Sequence, residues 1–190
     1  MIHYPVIHIV PRMNFCVKVA YSKLSSYTHL LFTSKHAVQI FFQQLNSLGI
    51  SKSLLQSITI IAIGRITARY VEKYTSCSFV AEEETQEGII AFLRTQPLEK
   101  SHFFFPRSSL SRNVIIDFLQ KNHILFQSCF IYDTVTWKKQ PVLNLEGIDE
   151  IIFTSPSTVK AFLEIFSVIP LDKKLITIGP ITQKALSEML

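Results

Sequence analysis

The chain has 190 residues, 48% of them hydrophobic and 17% charged, with a formal net charge of +5 at neutral pH. That balance, with a mean hydropathy of +0.28, fits a well-packed globular protein of one large or two small domains and excludes a disordered chain. No apolar run approaches the ~18 residues of a membrane span, and MIHYPVIHIVPR at the start lacks the clean apolar stretch of a secretory signal.

In chain order, YPVIHIVPR (4–12) is rich in β formers and reads as a strand. HLLFTS (29–34) is a second strand, ending in small hydroxyl residues. AVQIFFQQL (37–45) then places apolar residues at helical spacing. ITIIAIG (58–64) is a strand that stops at a glycine, with Thr67 in the opening turn of the next helix. FVAEEETQEGIIAFLRT (79–95) gives a strand, an acidic turn and a helix, and FFFPRSSLSRNVIIDFLQKN (103–122) gives a strand, a polar corner and a helix. SCFIYDTVTW (128–137) is again extended. EIIFTS (150–155) with TVKAFLEIF (158–166), and LITIG (175–179) with Thr182 beyond it, close the series.

The chain repeats itself. FTSKHAVQIFF (32–42) matches FTSPSTVKAFL (153–163), and IAIGRITARYV (61–71) matches ITIGPITQKAL (176–186), in the same order. Strands alternating with helices imply parallel sheets, whose ligands collect at the carboxyl ends of the strands. The expected fold is therefore α/β: two similar parallel-sheet lobes joined by a two-stranded linker. Residues 1–12 and 129–136 would be the linker strands, 13–128 a complete lobe and 137–190 a second, incomplete one. The second lobe has only the FTS and IGxIT corners. It lacks counterparts of the acidic-turn and PRS units, so either the chain is short at both ends or a partner covers an open sheet.

Several chemistries find no support. Three cysteines, Cys16, Cys77 and Cys129, are odd in number and share no metal-like spacing, which points to a reducing cytoplasm; Cys77 and Cys129, without a nearby partner for nucleophilic work, read as buried hydrophobes. The six histidines form no HExxH pattern, and the five glycines make no Walker loop or GxGxxG. Glu82–Glu84 read as a solvated turn. Basic residues come in pairs such as Lys138–Lys139 and Lys173–Lys174, without aromatic interleaving. Nucleic acid is thus disfavoured against a small substrate rich in carboxylates.

Together LLFTSKHAV, IAIGRITA, AEEETQEGI, FPRSSLSRNVIIDFL, FIYDTV, IIFTSPSTV and ITIGPIT, in this order, make the chain resemble the uroporphyrinogen-III synthase family nearly end to end. The resemblance implies two α/β lobes on a two-stranded linker, normally with a further strand and helix at each end, and a cytoplasmic monomer. An edge-mediated dimer is the alternative if one lobe is incomplete. It implies closure of linear hydroxymethylbilane to uroporphyrinogen III, with inversion of the last pyrrole and loss of water, without metal or cofactor. Such an enzyme chiefly controls the shape of a polycarboxylate. Carried over by position, Tyr132 would assist departure of the hydroxyl. Ser34, Thr67, Ser155, Gly179, Pro180 and Thr182 would line the substrate, and Lys174, Arg65, Arg107 and Arg112 would meet carboxylates. Bland roles compete: serine caps, turn glycines, a half-buried tyrosine and solvated arginines. Two other functions stay open, namely a degenerate relative that binds a tetrapyrrole or small polyacid without turnover, and a bilobal partner-binding module.

Overall fold

A computed structural model describes residues 1–190. The chain divides into two compact units, Pro11–Asp133 and Met1–Val10 with Thr134–Leu190. Strand β1 (Ile7–Pro11) belongs to the smaller unit up to Val10 and reaches the larger one at Pro11. The larger unit carries strands β2 (His29–Phe32), β3 (Thr59–Ala62), β4 (Phe79–Val80), β5 (His102–Ser108) and most of β6 (Leu125–Thr136). Its helices are α1 (Phe15–Ser22), α2 (Lys35–Ser47), α3 (Arg65–Val71), α4 (Gln86–Leu93) and α5 (Val114–Lys121). The sheet order is β1-β6-β5-β2-β3-β4. The pairs β2–β3, β2–β5, β3–β4 and β5–β6 are all parallel, so the α/β reading with a parallel sheet holds.

The run Phe103-Phe104-Phe105 shows why both faces of this sheet need helices. All three rings are fully buried, and alternation sends neighbours to opposite sides. Phe103 and Phe105 join Leu31, Ile61, Ile89, Leu93, Ile115 and Leu119, the side covered by α4 and α5. Phe104 packs instead against Tyr21 of α1 and Phe41 of α2, with Phe32 and Phe42 extending the aromatic layer. Cutting Phe41 back to alanine would cost about 3–5 kcal/mol in such a core.

α2 forms because Ser34 caps it and because Ala37, Val38, Phe41, Phe42 and Leu45 fall on one inward stripe. Tyr21 donates to Gln44 Oε1 at 3.0 Å, and Gln44 Nε2 donates to the Arg12 carbonyl at 2.7 Å. These bonds satisfy the buried amide on that stripe.

The smaller unit pairs β7 (Glu150–Phe153) in parallel with β8 (Lys174–Thr177), and adds α6 (Pro156–Phe166) and α7 (Pro180–Ser187). Phe153, Val159, Phe162, Ile169 and Leu186 form its core. Ser167 ends α6 in the left-handed region at φ 64°. No helix of the chain is long and apolar enough to cross a membrane.

One element differs from its sequence reading. The extended stretch expected from residue 128 begins at Leu125, because β6 pairs with β5 from Leu125 against His102 onward. Its first half is therefore a full member of the sheet rather than a connector.

Candidate functional site

Four parallel strands of the larger unit end in corners at one edge of its sheet, where helix N-termini leave backbone N–H groups unpaired. At the β2–α2 corner, Ser34 is extended (φ −162°, ψ 152°) and its Oγ accepts from Ala37 N at 3.0 Å. The same Oγ lies 2.7 Å from the Tyr132 hydroxyl. An oxygen that accepts the cap bond keeps its own proton to donate, so one serine both starts the helix and orients the phenol.

Tyr132 reaches that serine because of a bulge. The β5–β6 register shifts between Arg107 and Ser108, which pair with Phe130 and Tyr132, leaving Ile131 as an extra residue. Ile131 and Tyr132 are consecutive yet both buried, where strict alternation would send one outward. A bulge re-aims a side chain in this way. Burial holds the phenol above its ordinary pKa, partly offset by hydrogen bonds from Ser34 and Ser108. It is therefore protonated throughout the neutral range. His36 in the first turn of α2 sets its ring edge-on to Tyr132 at 6.3 Å. Burial, helped by Lys35, lowers the His36 pKa, which favours a neutral ring.

The next residue anchors a second group. Asp133 is paired with the Arg12 guanidinium and accepts from Ser109 Oγ at 2.6 Å. Arg12, then Ser109, hold its carboxyl below the usual range.

The other expected site residues divide sharply. Arg107 does not offer its guanidinium to solvent: the residue is 5% exposed, and it donates to the Arg112 carbonyl at 3.0 Å and to Asn113 Oδ1 at 2.7 Å. Its charge lies 5.5 Å and 5.0 Å from the Phe105 and Phe130 ring centres, while Nε is buried without a partner. Burial lowers its pKa, opposed by Asp117. Arg112 is engaged by both oxygens of Glu87, at 2.7 and 2.9 Å.

Thr67 and Thr182 are also turned inward, at 5% and 3% exposure, whereas Ile66 and Ile181 beside them face out. Neither threonine is open to solvent, because each sits on its helix stripe with Val71 or Leu186. Arg65 is exposed; its backbone N–H donates to Glu84 Oε1 at 3.0 Å. With Arg69, Glu72 and Glu82 it lines a hollow of about 620 Å³ to which none of the Tyr132 group contributes.

In the smaller unit Ser155 caps α6 reciprocally with Thr158, and its hydroxyl lies 2.9 Å from that of Ser157. Gly179 (φ 84°) and Pro180 are exposed at the start of α7, and Lys174 Nζ pairs with Glu150 at 2.6 Å. The structure thus brings Ser34 to Tyr132, and adds Ser108, His36, Ser109, Asp133 and Arg12, which were not singled out. Asp133 and the PRSS serines stood within the quoted motifs, the serines at the end of β5 and Asp133 inside β6. For Arg12 there was no local signal. No cluster of three or more histidine, cysteine or acidic side chains gathers as metal ligands would.

The family model described as "Uroporphyrinogen-III synthase HemD" matches residues 1–189. A protein of Ruminiclostridium josui named "Porphyrin biosynthesis protein HemD" is 28% identical over 179 residues, which cover 90% of this chain and 35% of that protein. The chain thus spans about a third of the length of that relative. A protein of Chlorobaculum parvum named "Uroporphyrinogen-III synthase" is 25% identical over 196 residues, 98% of this chain and 78% of that one. Among solved structures, a mutant uroporphyrinogen III synthase from Thermus thermophilus superposes with a TM-score of 0.72 at 16% identity, covering 97% of this chain and 78% of that one. The synthetase from Helicobacter pylori gives 0.66 at 24% identity, covering 96% and 80%. At those identities the two structures speak for the fold alone; the family match rests on the sequence, and it spans nearly every residue. On that match the chain belongs to the uroporphyrinogen-III synthase family.

Proposed function

We propose that this protein is a uroporphyrinogen-III synthase, closing hydroxymethylbilane with inversion of the last pyrrole and loss of water. The observation that carries this reading is the Ser34–Tyr132 hydrogen bond of 2.7 Å at the sheet edge where α/β proteins hold their ligands. The leaving hydroxyl of the substrate needs a proton or a strong hydrogen bond, and a phenol kept protonated by burial can supply one. With Ser34 donating to the Tyr132 oxygen, the phenol's own proton would be free to point towards the substrate. The substrate's departing oxygen would then accept that proton.

Substrate carboxylates would be met by the half-buried Ser155 cap and by exposed groups: Gly179 and Pro180 at the start of α7, Lys174 and Arg65. Thr67 and Thr182 would shape these corners from beneath. Arg107 would act through the loop it holds rather than by contact. The partner is accordingly a linear tetrapyrrole polycarboxylate, handled in the cytoplasm by a monomer without a cofactor.

The test is to incubate the full chain with freshly generated hydroxymethylbilane and separate the products by isomer. Type III product above the spontaneous type I background is expected. Type I alone would refute the proposal, and saturable binding without turnover would point to a non-catalytic relative. The internal engagement of Arg107 favours that second reading to a degree, since it removes one cation from the contact set.

A further inference from the structure

Outside the site just described lies a pair of thiols. Cys16 is the second residue of α1 and is exposed; Cys129 on β6 is buried. Their Sγ atoms are 3.3 Å apart although 113 positions separate them in the chain. Gln127 Nε2 approaches both sulfurs, at 3.7 and 3.6 Å, and Cys129 Sγ lies 3.6 Å from the Cys16 carbonyl. A disulfide needs the sulfurs at about 2.05 Å, so closure requires a shift of little over an ångström, within reach of side-chain rotation. Cys77 is a built-in contrast: its sulfur faces the Ile60 and Phe79 carbonyls and no other thiol.

We propose that Cys16 and Cys129 form a thiol-modification site that closes to a reversible intramolecular disulfide on reaction with a low-molecular-weight disulfide of the glutathione class. The order of events follows from exposure. The Cys16 thiolate attacks one sulfur of the small disulfide, forming a mixed disulfide and expelling one small thiolate, which takes up a proton. Cys129 then gives up its proton, and its sulfur attacks the Cys16 sulfur and expels the second small thiolate. Two protein thiols are oxidised and one small disulfide is reduced to two thiols, so atoms and electrons balance. Burial, reinforced by Cys16, raises the Cys129 pKa, which suits the role of resolving rather than first-attacking thiol. The bond would tie the start of α1 to β6, on the strand that bears Tyr132.

The experiment exposes the native full chain to oxidised glutathione, then quenches, denatures and measures intact mass and thiol content. Expected are a mass lower by two hydrogens, loss of two of the three thiols with Cys77 remaining, and a Cys16–Cys129 cross-linked peptide, all reversed by dithiothreitol. Cys16→Ser, a change at an exposed position, should keep its mass under the same treatment. Persistence of three thiols, a stable glutathione adduct without closure, or a disulfide between two copies would each overturn the proposal.

Discussion

Ser34 and Ser155 occupy the same word of a repeated sentence and adopt nearly the same backbone, φ −162° and −165° with ψ 152° and 161°. Each caps a helix through its own oxygen. Their surroundings differ. Ser34 meets a phenol brought in from a strand 98 positions away, while Ser155 meets Ser157 and Thr158 of its own helix turn. The corresponding glycines part in the same manner. Gly64 is extended at φ −176° with the Glu84 carboxyl against it, and Gly179 stands at φ 84° where an added Cβ would meet nothing within 4 Å. A duplicated corner supplies geometry twice. The chemistry comes from whatever the rest of the fold carries to it.

The sharpest way to break this contrast is Tyr132→Phe, which removes the hydroxyl at the first corner and leaves both caps intact. A proton donor of this kind is worth about 10²–10⁴-fold in rate. Formation of the type III isomer should fall by at least ~10²-fold, while stability should drop only by the ~1 kcal/mol that the lost Ser34 bond supplies. A rate within about twofold of wild type would remove Tyr132 from the chemistry.

Next come the serines. Ser34→Ala and Ser155→Ala should each lose about 1 kcal/mol of stability from the missing cap, read from urea unfolding. Ser34→Ala should lose more, because a buried phenol is left one partner short. Equal losses would mean that the bond to Tyr132 contributes nothing.

The glycines sharpen the comparison at a smaller scale. Gly179→Ala should cost about 1 kcal/mol, for backbone strain alone. In Gly64→Ala the new Cβ would stand 2.5 Å from the Glu84 carboxyl carbon, and that flexible side chain must swing off Arg65 N. Introducing Glu84→Ala should therefore erase the Gly64→Ala penalty and leave that of Gly179→Ala untouched.

Smallest is the effect of Arg12→Gln, which only the first corner's surroundings can show. The Asp133 pKa is lowered in the folded state, so its stabilisation is fully present above the ordinary carboxylate value and fades as pH falls through the folded one. The gap in melting temperature between variant and wild type should be constant near neutrality, narrow below about pH 4, and vanish in stronger acid. A gap unchanged by acid would assign the effect to lost packing of the arginine stem instead.

The strand–helix order was legible because periodicity and caps are local. Alternation at HLLF, the stripe through Val38, Phe41 and Leu45, and the serines before each helix needed only neighbours in sequence. Half of the site was legible too, since Tyr132 and Ser34 both stood in quoted motifs. Their bond was not. It depends on β6 lying beside β5 and β5 beside β2, and on one extra residue at Ile131 that turns the tyrosine. Arg12–Asp133 and Cys16–Cys129 were hidden for the same reason, 121 and 113 positions apart. The inward turn of Thr67 and Thr182 was readable, because each stands four residues before an apolar partner, Val71 or Leu186. The repeat drew attention to their identity rather than to their phase on the helix.

Arg107, pinned between two phenyl rings, has a further consequence. Mobile ions cannot crowd around a guanidinium shut away from water, so its charge is screened less than that of a lysine on the surface. That charge is felt more by the groups that share its dry layer, and by the Asp117 carboxylate, than by an anion approaching through salty water.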